Sequence, residues 1–95
     1  MVKHIVMFKL KEKNSATMNQ LLTALEGLDG AVETLRWLEV GTDFKGSERS
    51  YDVVLTTHFD DREGLQVYAG HPNHLPVLAL VRELCSNTIV VDYEV

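Results

Sequence analysis

One cysteine in 95 residues leaves this chain without an intrachain disulfide, so packing alone must hold the fold. Cys85 reads as a buried thiol, because free cysteine is among the most buried residue types and no activating neighbour stands beside it. The 6 glycines are scattered: there is no phosphate-cradling glycine loop and no G-x-S-x-G turn. No pair of catalytic carboxylates stands out. No apolar run is long enough to span a bilayer, and Met1-Val2-Lys3-His4 passes straight into strand-like alternation with no secretory leader. A cytoplasmic protein is the expectation. The 9 basic residues against 14 acidic ones give a net charge of -5. Apart from Lys9, Lys11 and Lys13 the basic residues are dispersed, which argues against nucleic acid as a partner. There are 4 histidines. His71 and His74 are separated by Pro72, however, and no zinc-like ligand spacing accompanies them, so neither metal nor cofactor is expected.

What is present is an ordinary globular composition, 45% apolar and 24% charged. It suits a single domain over residues 1–95 with one modest core. Val2 to Leu10 alternates, with His4, Val6, Phe8 and Leu10 on one side and Lys3, Ile5, Met7 and Lys9 on the other. Ser15 is a plausible N-cap for a helix whose stripe is Met18, Leu21, Leu22, Leu25 and Leu28, ending near Gly27 and Gly30. Glu33 to Asp43 and Tyr51 to Phe59 read as strands joined at a Lys45-Gly46-Ser47-Glu48 turn. Asp60 can cap a short helix, with Glu63 as its capping-box partner. Leu65 and Tyr68 lie on its inner side, and Gly70 stops it. Pro72 or Asn73 can open a further helix, with Leu75, Leu78, Val81, Leu84 and Cys85 as its buried face. Thr88 to Glu94 is a last strand.

The order is β-α-β-β-α-β, the ferredoxin-like α+β arrangement of an antiparallel sheet with helices on one face. Several strands are nevertheless apolar on both sides. Ile5, Met7, Val54, Ile89, Val91 and Tyr93 fall on the side opposite the helices, where they would form an exposed patch too large for a monomer. A homodimer with two sheets face to face is the simplest cover.

Four stretches together resemble the stress-responsive A/B barrel family, also called dimeric A/B barrel or Dabb proteins. They are Val2-Lys3-His4-Ile5-Val6-Met7-Phe8-Lys9, Ser47-Glu48-Arg49-Ser50-Tyr51-Asp52, the His71-Pro72-Asn73-His74 corner, and Val91-Asp92-Tyr93. The resemblance covers nearly the whole chain and implies ferredoxin-like chains that dimerise into a barrel. One plant branch contains polyketide cyclases that close a ring by an intramolecular aldol reaction without metal or cofactor. Its functional Tyr and its H-P-x-H second His match Tyr68 and His74, and its first-strand His and last-strand Asp match His4 and Asp92. Where that branch has aromatic residues, this chain has Leu22 and Leu25.

His74 would sit in the first turn of a helix, where the dipole disfavours an imidazolium and keeps the ring able to accept a proton. Tyr68 could then hold a developing enolate oxygen, and Asp92 could orient His74. Phe8, Leu22, Leu25, Leu55 and Val90 are the expected apolar lining. His71 reads as a turn residue bordering the same pocket, and His58 as structural. The leading expectation is a homodimer with a small apolar pocket for a carbonyl compound. The rivals are a non-catalytic stress, binding or assembly protein and, last, a dimeric-barrel monooxygenase, since nothing singles out haem or an oxidisable quinol.

Overall fold

The computed structural model describes residues 1–95. It has the order β1 (Val2–Leu10), α1 (Ser15–Glu26), β2 (Trp37–Thr42), β3 (Val53–Phe59), α2 (Arg62–Ala69), α3 (Leu75–Leu84) and β4 (Cys85–Glu94). The four strands form one sheet, ordered β2-β3-β1-β4, and every neighbouring pair is antiparallel. This is the ferredoxin-like α+β fold expected from the pattern.

Period-two alternation sends Phe8, Leu10, Val53 and Leu55 to the helix side, where they meet Leu21, Leu25, Val81 and Cys85 in one cluster. A second cluster at the other end of the sheet joins Val2, Leu28, Val32, Phe59 and Tyr68. The opposite sheet face carries no helix. Met7 is 39% exposed there, Ile89 45%, Val91 53% and Tyr93 40%.

Several boundaries differ from the sequence reading. The α1 cap is Asn14, whose side chain accepts from the Thr17 amide while the Thr17 hydroxyl accepts from the Asn14 amide. This reciprocal box places Ser15 inside the helix. The α2 cap is Asp61, bonded to the Gly64 amide at 2.8 Å. Asp60 instead holds the Arg36 guanidinium, and Glu63 lies in the first turn without closing a box. The second strand begins at Trp37, because residues 31–35 are spent on turns, Ala31 to Leu28 and Leu35 to Val32, that drop Val32 into the core. The third begins at Val53, two residues later than Tyr51. Asp52 still donates its amide to the Phe8 carbonyl and accepts from the Asp43 amide, while its carboxylate accepts the Leu10 amide at 2.8 Å.

On α3, Val77 packs on the core, and Leu75 is 50% exposed. Asn73 does not cap the helix. Its amide nitrogen Nδ2 donates to the Ala31 carbonyl at 2.8 Å, and His74 occupies the cap position without a side-chain capping bond. Cys85 ends α3 and opens β4 with no loop between them, so β4 starts before Thr88.

Candidate functional site

A cavity of about 310 Å³ lies between the helix side of the sheet and helices α2 and α3. Its walls are mostly apolar: Val6, Phe8, Leu25, Leu55, Val81 and Val90 line the body, with Leu28, Leu65, Val77, Leu78, Ala69 and Thr88 around them. His4, Tyr68 and His74 form its polar end. An apolar enclosure with a few converging polar groups is the usual form of a small-molecule site.

Each polar group is positioned by a different element. His4 points inward because β1 alternates. Tyr68 reaches the sheet from the last turn of α2, and its ring meets Phe59 at 5.1 Å between centroids. His74 stands at the start of α3, after the turn that Gly70 opens. Tyr68 lies between the two imidazoles, stacked on His74 at 4.1 Å and edge-on to His4 at 6.1 Å.

The Tyr68 hydroxyl is buried and has no hydrogen-bond partner. Burial pushes this phenol up to about 12, so it stays protonated as a donor. Nδ1 of His74 lies 3.2 Å from the Ala69 carbonyl, an acceptor only. That contact puts the proton on Nδ1 and leaves the Nε2 lone pair free. Burial is the chief cause holding His74 below the ordinary histidine range, with His4 and His71 adding to it against the opposing pull of the Ala69 carbonyl. The helix dipole was expected to disfavour the imidazolium; burial acts in the same direction.

Asp92 does not reach His74 as anticipated. It stands opposite His4 in the β1–β4 ladder and accepts from His4 Nδ1. The carboxylate is half-exposed and borders an outer cleft of about 440 Å³ with Arg62, Gln66 and Glu94.

The structure therefore brings together His4, Tyr68 and His74, with Asp92 behind His4, and Phe8, Leu25, Leu55 and Val90 around them. Two expected lining residues lie elsewhere. Leu22 packs against the core cluster outside the cavity. His71 turns away: its Nδ1 accepts from the Asn73 amide at 3.0 Å and its Nε2 faces Glu33 at 3.1 Å. Leu78 and Val81 were read as the buried face of this helix but not as cavity wall, and Val77 was missed, although the spacing of 3, 4 and 7 from His74 marks one helix face. Val6 shares the alternation of His4 and Phe8, which was a usable signal as well.

The model of the stress responsive A/B barrel domain matches residues 2–95. An uncharacterized protein of Streptomyces coelicolor is 31% identical over 97 residues, with 99% of each chain covered. A solved dimeric protein of unknown function and ferredoxin-like fold from Bacteroides fragilis is 31% identical, with a TM-score of 0.85 over 99% of this chain and 95% of that one. A hydroxynitrile lyase from Passiflora edulis shares the fold at a TM-score of 0.86 and 15% identity, over 99% of this chain and 92% of that one. With its fold and almost its whole length matched, this chain belongs to the stress-responsive A/B barrel family.

Proposed function

We propose that the chain works as a homodimer, closed through the helix-free sheet face, and that each copy binds a small apolar carbonyl compound in the cavity. Bound there, the compound undergoes acid–base chemistry carried by side chains of the chain itself. The exposed Met7, Ile89, Val91 and Tyr93 support the dimer, as does the dimeric relative from Bacteroides fragilis. That a protein of this fold is a hydroxynitrile lyase keeps the fold compatible with catalysis.

The carrying observation is the unpartnered Tyr68 hydroxyl, on a ring stacked against the His74 imidazole whose Nε2 lone pair is free. A buried donor without an acceptor is costly, and a bound carbonyl oxygen would satisfy it. In the proposed step His74 Nε2 takes a proton from the carbon next to that carbonyl. The Tyr68 hydroxyl donates to the enolate oxygen that forms. The enolate carbon attacks a second carbonyl carbon, making a carbon–carbon bond, and the proton returns from His74 to the new alkoxide. A base of lowered pKa and a donor of raised pKa, side by side, divide the two roles.

The test uses a panel of small aryl and alkyl β-diketones. Calorimetry follows binding, and NMR in D₂O follows exchange of their α-protons. Binding with exchange above buffer, reduced about 100-fold in His74→Ala, is the expected result. Binding without exchange would make the protein a carrier, and unchanged exchange in His74→Ala would remove the base.

A further inference from the structure

The helix-free face is not uniformly apolar. One row crosses all four strands: Trp37 on β2 pairs with His58 on β3, His58 with Lys3 on β1, and Lys3 with Tyr93 on β4. The next two rows hold Ile5, Val91, Met7 and Ile89 on the β1–β4 half. Trp37 stacks on the His58 ring, with centroids 4.4 Å apart and planes inclined by 30°. His58 is therefore a titratable ring in this face, set between Trp37 and Lys3 with Glu39 and Thr56 one row on. Nothing in the chemistry of the cavity uses it, because it points out of the other side of the sheet.

We propose that His58 makes the association of two copies pH-dependent: the dimer is tight when His58 is neutral and loosens when it is protonated. The inference rests on the homodimer reading above. Closing the face against a second copy removes water from this row. A neutral imidazole stacked on indole loses little by that, whereas an imidazolium loses its hydration next to another cation, Lys3. The facing groups are few. From β1 comes Lys3, which disfavours the charge; from β2 come Glu39, one row on, which favours it weakly, and the Trp37 face. Attraction between a cation and an indole face favours protonation, but it is smaller than the hydration lost on closure. Partial burial and Lys3 already hold His58 below the ordinary histidine range, with Glu39 the smallest influence and opposed. Each copy brings one His58, so dissociation in acid takes up as many as two protons.

Sedimentation equilibrium of the full chain between pH 8 and pH 5.5 measures this directly, with near-ultraviolet dichroism confirming that the chain stays folded. The sole tryptophan, Trp37, reports on the stacked ring by its emission. The expected result is a dissociation constant that rises at least tenfold, and up to about 100-fold, per pH unit once His58 protonates. In His58→Gln the constant should be nearly flat over the same range. A dimer at pH 8 whose constant does not change with pH would overturn this inference and leave the homodimer intact, as would an undiminished slope in His58→Gln. A monomer at pH 8 would overturn both.

Discussion

His4 and Asp92 are 88 residues apart in the chain and face each other directly across the β1–β4 ladder, with Nδ1 of His4 donating to the Asp92 carboxylate. The bond holds the proton on Nδ1 and fixes the ring, which lines the cavity that Tyr68 and His74 share. Asp92→Asn keeps the shape but lets the amide present either its oxygen or its NH₂ group to the ring. The expected outcome is a mixture of His4 tautomers. Nitrogen-15 chemical shifts of the ring check it, and a single unchanged Nδ1–H tautomer would show that the carboxylate does not set the orientation.

Tyr68→Phe should separate stability from binding. The residue is 1% exposed and its hydroxyl has no hydrogen-bond partner within the fold, so its removal deletes a desolvated donor and only one buried oxygen. The variant is expected to be more stable by about 1 kcal/mol in urea titration. It should also bind carbonyl compounds at least tenfold more weakly. A loss of stability would mean that the hydroxyl has a partner inside the fold.

Acid should weaken the fold through His74. Its pKa in the folded chain lies below the ordinary 6.5, chiefly through burial, so below pH 6.5 the unfolded chain binds the extra proton more readily than the folded one. The neutral ring's contribution is fully present above pH 6.5 and is lost as pH falls through the lowered folded value. Denaturation midpoints of the wild type should therefore drop between pH 7 and pH 5. His74→Gln should show a shallower drop, and equal slopes in the two proteins would contradict this account.

The two neighbouring aspartates at the start of α2 should behave differently. Asp61→Ala removes the bond to the Gly64 amide and is expected to cost about 1 kcal/mol. Asp60→Ala breaks only a solvent-exposed ion pair with Arg36, and little change in the melting temperature should follow. Paired thermal melts decide it. A larger loss at Asp60 would return the cap to that residue.

Much of the architecture was legible because its signals are local. Alternation in Val2–Leu10 and the leucine stripe of α1 depend on residues a few positions apart, and so do the stops at Gly27 and Gly70. The apolar residues on both faces of the sheet were visible in the same way. Where two acceptable caps stand side by side, as at Asn14-Ser15 and Asp60-Asp61, the sequence does not choose between them. The geometry of the preceding chain does: Asp60 is drawn away by Arg36, which the end of the turn after Val32 brings alongside.

The amino-acid sequence by itself determined the element order, the inward side of each strand, and the gathering of Tyr68 and His74 at one corner. Tertiary structure decided which polar groups meet. Strand register, a non-local property in which one step reverses every side chain, assigned Asp92 to His4 rather than to His74. The rotation of α3 put Val77 and Leu78 into the cavity wall. Its turn sent His71 to Glu33, and the packing of α1 kept Leu22 out of the cavity. Only the folded chain desolvates the Tyr68 hydroxyl and the His74 ring, because burial is a property of neighbours that arrive from every part of the sequence.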